Sequence, residues 1–83
     1  LDVVEINEAF ATQSIASVRD LNLDPTRINI DGGAIAIGHP LGATGARITG
    51  KAAEILVRDG GRFALSTQCI GGGQGIATVM EAI

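Results

Sequence analysis

Apolar residues recur along this chain with two periods, and these periods predict its secondary structure. Short runs rich in Val, Ile and other apolar residues, bounded by Gly, Asp or Asn, are typical of strands. Four such runs occur, at residues 1–6, 27–31, 62–69 and 75–82. Residues 8–21 and 43–59 instead repeat apolar residues at roughly helical spacing, which predicts amphipathic helices. The predicted order is β-α-β-α-β-β, which indicates an α/β fold with a layered sheet and helices on its faces.

The helix predicted over residues 43–59 has the clearest pattern. Its apolar stripe consists of Ile48, Ala52, Ile55 and Leu56. Its polar stripe consists of Arg47, Lys51, Glu54 and Arg58. Gly60 and Gly61 follow, and glycine is common just after a helix end. We expect the apolar stripe to pack on the sheet, and Glu54 and Arg58 to pair one turn apart.

Composition and charge narrow the class of protein. The 83 residues, with 46% hydrophobic and 18% charged residues, suit one small globular domain or a piece of a larger one. The net charge is −3, the basic residues are scattered and the only aromatic residues are Phe10 and Phe63, which argues against nucleic-acid binding. No apolar run approaches the ~20 residues of a membrane span.

The single cysteine, Cys69, excludes an internal disulfide and suits a reducing compartment. We take the cytoplasm as the expected location, with an organelle as the alternative. One cysteine and one histidine also make a self-contained zinc site improbable, so no metal is expected.

Glycine is the unusual residue of this chain. Nine of the twelve glycines fall between Gly32 and Gly45 or between Gly71 and Gly75. The only histidine, His39, lies in the first window, and Cys69 lies just before the second. His39 on a glycine-rich loop can serve as a general base. It can equally be a loop histidine that caps a helix or packs under a turn.

Cys69 and the second glycine window also allow two interpretations. The Gly71–Gly73 run can form a nest of backbone N–H groups that lowers the pKa of a thiol or binds an oxyanion. Alternatively, Cys69 is a small buried hydrophobic residue, and the glycines only form the loop of an antiparallel hairpin.

Asn7 and Glu8 lie where the first predicted strand gives way to a helix. In α/β sheets, ligands bind beyond the carboxyl ends of the strands. The residues alone favour helix capping by Asn7, with Glu8 on the helix dipole.

Neither glycine window fits the phosphate-binding or dinucleotide-binding patterns. Gly42–Gly45 can offer N–H groups to an anion, but helix packing by small residues is the preferred interpretation.

Three segments resemble the three C-terminal motifs of thiolases, the acetyl-CoA acetyltransferases and 3-ketoacyl-CoA thiolases. The segments are Asn7–Phe10, Gly32–Gly45 and Cys69–Gly75, and their order and spacing agree with the family. The resemblance implies interconversion of acyl-CoA and acetyl-CoA with a 3-oxoacyl-CoA and CoA, through a cysteine thioester. CoA thioesters would then be substrates, with no bound cofactor. A homodimer or homotetramer is expected for the whole enzyme.

The resemblance also implies roles for individual residues. His39 matches the histidine that activates the nucleophilic cysteine, and Cys69 matches the acid/base cysteine. Asn7 matches the asparagine that holds a water in one oxyanion hole. Gly71 matches the glycine whose N–H contributes to a second oxyanion hole. Ala9 and Phe10 match positions near the pantetheine arm of CoA.

Because the chain has one cysteine, the nucleophile is expected outside these residues. Residues 1–83 would then be the last part of the C-terminal domain, without the N-terminal domain, and inactive in isolation. Two alternatives are a non-enzymatic interaction module of thiolase fold and a relative with other chemistry, such as a ketoacyl synthase. Cys69 argues against the second, because those relatives usually lack a C-terminal cysteine before glycine.

Overall fold

The computed structural model describes residues 1–83, which form a three-stranded sheet flanked by helices. The strands are β1 (Val3–Ile6), β2 (Phe63–Ile70) and β3 (Gln74–Glu81). The α-helices are α1 (Ala11–Asp20), α2 (Ala34–Ile37) and α3 (Thr44–Asp59), and short 3-10 turns occupy Pro25–Arg27 and Gly71–Gly73. This mixed sheet with helices confirms the predicted α/β class. No helix combines the length and the apolar character needed to cross a bilayer.

The sheet has the order β1-β2-β3. β1 runs parallel to β2, with Val3 opposite Ala64 and Ile6 opposite Thr67. β2 and β3 form the predicted antiparallel hairpin, which turns through Gly71–Gly73. Because β1 and β2 are parallel, their carboxyl ends lie at the same edge of the sheet.

The core lies between α3 and the sheet. Its fully buried apolar residues are Val3, Ala52, Ile55, Leu56 and Ala64, with Met80 packed against them. The apolar stripe predicted for α3 is therefore confirmed, and the left-handed Gly60 (φ 71°) ends the helix as expected. Burial of each large aliphatic side chain contributes about 1.5–3 kcal/mol. Towards the carboxyl ends of β1 and β2 the same interface becomes polar, with buried Glu5, Asn7, Thr44 and Ser66.

The predicted strand over residues 27–31 is wrong. Only a single bridge, between Val4 and Ile28, joins this segment to β1. Asn29 has a left-handed backbone (φ 48°), a conformation that Asn tolerates better than Ile or Val. Its side-chain amide instead accepts from the backbone N of Ile6 (2.9 Å) and donates to the backbone O of Ile6 (2.8 Å). The side chain thus satisfies the edge of β1 in place of a fourth strand.

Two local predictions on the helices are also wrong. The first helix begins at Ala11 and not at residue 8, and its N-cap position is Phe10. Asn7 is not a cap, because it is buried just after the end of β1, four residues before the helix begins. The Glu54–Arg58 pair does not form: Glu54 binds Lys51 (3.3 Å), and both terminal nitrogens of Arg58 bind Asp31 (2.8 and 3.3 Å). The bidentate geometry to a carboxylate outcompetes the pair along the helix.

Candidate active site

The three glycine- and polar-rich motifs meet at the carboxyl edge of the parallel strands. The backbone N of Asn7, just after β1, donates to the O of Thr67 in β2 (2.9 Å). The start of α3 reaches the same edge, because a Cβ on Gly45 would lie 3.0 Å from Nε2 of Gln68, the residue before Cys69. Asn7, the start of α3 and the end of β2 are therefore neighbours.

His39 is attached to this edge through α3. Its ring nitrogen Nδ1 lies 2.6 Å from Oγ1 of Thr44, the first residue of α3. The His39 residue is exposed, whereas Thr44 is completely buried. The ring is thus held from one side only, and its other nitrogen, Nε2, makes no hydrogen bond within the chain. A histidine held in this way can exchange a proton with a bound molecule.

Asn7 is an unusual buried residue, with an exposed fraction of 1%. Neither Oδ1 nor Nδ2 of its amide has a hydrogen-bond partner within the chain. Leaving a buried amide unpaired costs about 1–3 kcal/mol. An amide with both a free donor and a free acceptor is suited to hold a water molecule or a polar ligand atom.

Cys69 is an exposed free cysteine near the end of β2. The interpretation of Cys69 as a buried hydrophobic residue is therefore wrong. The backbone turns immediately after it, and Gly72 (φ 76°) and Gly73 (φ 72°) adopt left-handed conformations that favour glycine. Added Cβ atoms at Gly71, Gly72 and Gly73 would meet no atom within 4 Å, so the turn that follows Cys69 is open.

Ala9 and Phe10 follow Asn7 at the same edge. Ala9 is half-buried, and Phe10 is 73% exposed. An exposed phenylalanine beside a polar edge offers an apolar contact to a long flexible ligand.

Comparison with known proteins assigns the family. The profile "Thiolase, C-terminal domain" matches residues 1–82. The chain belongs to the thiolase family. A beta-ketothiolase of Cupriavidus necator is 58% identical over 83 residues, which is 100% of this chain and 21% of the relative. The bovine mitochondrial 3-ketoacyl-CoA thiolase is 54% identical over 81 residues, covering 98% of this chain and 20% of that protein.

Solved thiolase structures share the fold. The crystal structure of human mitochondrial 3-ketoacyl-CoA thiolase superposes with a TM-score of 0.95 at 52% identity, over 100% of this chain and 21% of that one. The human thiolase has also been solved in complex with CoA. The chain thus spans about a fifth of the length of the thiolases that it matches.

A contact between Glu8 and the segment around Gly33 joins the first two motif segments, and the sequence alone did not predict it. The Glu8 carboxylate, just after β1, accepts from the backbone N of Ile35 in α2 (3.2 Å). Gly33 leaves room for this carboxylate, since a Cβ there would lie 2.6 Å from Cδ of Glu8 and 2.9 Å from Nδ2 of Asn29. α2 leads directly to Gly38 and His39, so this contact sets the path of the histidine loop.

We expect Gly33→Ala to displace the loop. Its methyl group cannot push aside Asn29, which is bound to Ile6, so the Glu8 carboxylate must leave and the N of Ile35 loses its acceptor. Overpacking of this kind costs about 1–3 kcal/mol of unfolding free energy. Chemical denaturation measures the loss.

Gly42→Ala in the same loop is the matched control, because a Cβ there meets no atom within 4 Å. In a double-mutant cycle, Glu8→Ala should remove most of the cost of Gly33→Ala. An equal cost with and without the Glu8 carboxylate would contradict this contact.

The base of the same loop is tied to α3 by Asp31. Arg58 and Lys51 both donate to its carboxylate, at 2.8 and 3.4 Å. The hydrogen bonds from Arg58, followed by that from Lys51, hold the pKa of Asp31 below its ordinary value. The loop that carries His39 is therefore anchored at both ends, through Asp31 and through Thr44.

Glu5 lies two residues before Asn7 and is completely buried, with both carboxylate oxygens unpaired. Burial raises its pKa from 4.5 to about 7, although Arg47 acts in the opposite direction. The folded state therefore prefers the neutral acid. Its stabilising contribution is complete below the unfolded pKa of 4.5 and is lost as the pH rises through about 7.

We expect the unfolding free energy of the wild-type protein to fall between about pH 4.5 and 7, by on the order of 3 kcal/mol from Glu5. Glu5→Gln removes the ionisable group and should flatten this slope. Glu81→Gln makes the same chemical change at an exposed position and should retain it. Urea titrations at several pH values measure the slope, and equal slopes for wild type and Glu5→Gln would contradict the assignment.

Proposed function

We propose that this chain serves as the C-terminal catalytic segment of a thiolase. The proposed reaction interconverts an acyl-CoA and acetyl-CoA with a 3-oxoacyl-CoA and free CoA. The observation that carries the proposal is that three neighbouring segments at one sheet edge of a thiolase-family fold carry these residues: the unpaired Asn7 amide follows β1, Cys69 lies near the end of β2, and His39 is bound to the start of α3. We also propose that residues 1–83 act as the last part of the C-terminal domain of a thiolase, together with a nucleophilic cysteine outside these residues.

In the first half of the proposed reaction, His39 takes the proton of the nucleophilic cysteine. The thiolate attacks the carbonyl carbon of an acyl-CoA, a thioester to the enzyme forms, and CoA leaves as its thiol with that proton. Division of the reaction through a covalent thioester lowers each barrier. The exposed ring of His39, fixed through Nδ1 to Thr44, leaves Nε2 for this proton transfer.

In the second half, Cys69 acts as the base. Its thiolate takes a proton from the α-carbon of acetyl-CoA, and the resulting carbanion attacks the carbonyl of the acyl-enzyme. A carbon–carbon bond forms, and the bond from that carbonyl to the nucleophile sulfur breaks, so that 3-oxoacyl-CoA is released and the nucleophile leaves as a thiolate. Transfer of the α-proton from Cys69 to this thiolate restores the starting state. Thiolysis is the reverse, in which Cys69 returns the proton. The exposure of Cys69 at an open turn supports this role.

Both halves place negative charge on oxygen, and hydrogen-bond donors there can each contribute a few kcal/mol. We assign the enolate oxygen to His39 and a water held by Asn7, whose free amide supports the assignment. We assign the oxygen of the tetrahedral intermediate to the N–H of Gly71.

CoA enters as a substrate and not as a resident cofactor. Ala9 and the exposed Phe10 would contact its pantetheine arm, and the CoA complex of the human relative supports this class of ligand. A homodimer or homotetramer, and a location in the cytoplasm or in an organelle, remain predictions.

A second candidate is an interaction module without catalysis. Exposed apolar side chains favour it, among them Ile76, Val79 and Leu41. β3 also has a free edge, and such edges promote association between chains.

Trapping of the acyl-enzyme separates the two candidates. The protein, expressed from its complete reading frame, is incubated with labelled acetyl-CoA, quenched and digested, and the labelled peptide is identified. We expect the label on a cysteine outside residues 1–83, and no turnover by residues 1–83 alone. A label on Cys69 would make it the nucleophile, and no label with any acyl-CoA would favour the interaction module.

A further inference from the structure

We propose that Thr44 is a positioning residue that lets the His39 ring carry its proton on either nitrogen without moving. This inference rests on the proposed function of His39. It concerns a residue to which the thiolase resemblance assigned no role, and its evidence is the hydrogen bonding around one buried hydroxyl.

The Thr44 hydroxyl has two partners and a single hydrogen. Oγ1 lies 2.6 Å from Nδ1 of His39 and 2.9 Å from the backbone O of Pro40. The Pro40 carbonyl can only accept, and it also receives the backbone N–H groups of Ala43 (3.0 Å) and Thr44 (3.1 Å). Pro40 therefore stays hydrogen-bonded whichever way the Thr44 hydroxyl points.

Rotation of the Thr44 hydroxyl about its Cβ–Oγ1 bond allows two hydrogen-bonding arrangements. When the hydroxyl donates to Pro40, its oxygen accepts Nδ1–H from His39, and Nε2 carries a lone pair that can act as a base. When the hydroxyl donates to Nδ1, the neutral ring carries its hydrogen on Nε2, which then acts as a donor. The protonated ring, with hydrogens on both nitrogens, uses the first arrangement.

The proposed reaction needs these states in turn. His39 is a base towards the nucleophile in the first half and a donor towards the thioester oxygen in the second. A carboxylate or a backbone carbonyl at Nδ1 can only accept, and would favour one tautomer. A hydroxyl both accepts and donates. Thr44 is fully buried at the start of α3, and its β-branched side chain has few rotamers, so its oxygen stays in place.

We expect Thr44→Val, which keeps the shape and removes the hydroxyl, to lower kcat of the complete enzyme about 10- to 100-fold, part of the usual contribution of a general base. KM should change less than about threefold, because Thr44 is buried behind the ring and has no contact with substrate in the proposed mechanism. Thr44→Ser, which keeps the hydroxyl, should retain kcat within about threefold of wild type.

Thr49→Val is the matched control. Thr49 lies on the same helix, and its hydroxyl interacts with Ser66 (3.1 Å) and not with His39. It should keep wild-type kcat. If Thr44→Ser is as slow as Thr44→Val, the methyl packing matters and not the hydroxyl, and the proposal is overturned. Wild-type kcat in Thr44→Val overturns it as well.

A spectroscopic measurement tests the coupling of Thr44 to His39 independently of the proposed function. The ¹⁵N shifts of the His39 ring, assigned by their loss in His39→Asn, report which nitrogen carries hydrogen. We expect Thr44→Val to shift the Nδ1 signal and the tautomer ratio, and Thr49→Val to leave both unchanged. If the wild-type protein has no thiolase activity but Thr44→Val still moves these signals, the proposed function fails and the Thr44–His39 coupling stands. Unchanged ring signals in Thr44→Val would refute the coupling itself.

Discussion

Replacement of Cys69 with alanine is expected to lower the rate of condensation and thiolysis by about 10²- to 10⁴-fold, the usual contribution of a general acid/base. The α-proton of a thioester is weakly acidic, and the variant has no group at this position to accept it. Acylation of the nucleophile by acetyl-CoA should persist, because His39 performs that step in the proposed mechanism. Steady-state assays and trapping of the acyl-enzyme measure the two halves separately.

Two further variants sharpen this test. Cys69→Ser keeps the size of the side chain but replaces the thiol by a far weaker acid, so it should be nearly as impaired as Cys69→Ala. Thr78→Ala, at an exposed position of the neighbouring strand, should leave both halves unchanged. A Cys69→Ala enzyme with wild-type condensation would remove Cys69 from the mechanism. Loss of acylation together with condensation would make Cys69 the nucleophile or a structural residue.

Ile55→Ala is expected to be the most destabilising single truncation in the core. Ile55 has an exposed fraction of 1% and belongs to the cluster that joins α3 to β1 and β2. The substitution removes every side-chain atom beyond Cβ. The protein loses the transfer free energy of these atoms and retains a cavity, at a cost of about 2–5 kcal/mol of unfolding free energy. Denaturant unfolding monitored by circular dichroism measures the change in unfolding free energy.

The matched control for Ile55 lies two residues away on the same helix. Val57 is 80% exposed, and Val57→Ala should change the unfolding free energy by less than about 0.5 kcal/mol. Similar losses in the two variants would mean that α3 packs through a different face from the one described.

The pattern of apolar residues and glycines along the chain was sufficient to predict the elements whose structure depends on residues nearby in sequence. The stripe of Ile48, Ala52, Ile55 and Leu56 predicted the buried face of α3, and Gly60 predicted its end. The two apolar runs around Gly71–Gly73 predicted the hairpin of β2 and β3. The same reasoning failed at residues 27–31, because the alternation of Ile28 and Ile30 does not show that Asn29 turns left-handed.

The ion pairs show the same limit. The spacing of Glu54 and Arg58 on one helix face made a pair plausible, but a weak contact along an exposed helix loses to any better partner. Asp31 lies 27 residues away along the chain and binds Arg58 with two hydrogen bonds. No local rule could identify it.

The sequence by itself determined the α/β class, the amphipathic helix, the hairpin and the residues that relate this chain to thiolases. These properties depend on periodicity and on the order of residues along the chain. The tertiary structure alone decided that Asn7 is a buried, unpartnered amide and not a helix cap. It also decided that Glu8 occupies the space left by Gly33, and that Asn29 closes the edge of β1. The reason is physical: each of these depends on a partner more than 20 residues away or on enclosure by separate elements, and such contacts exist only once the chain has folded.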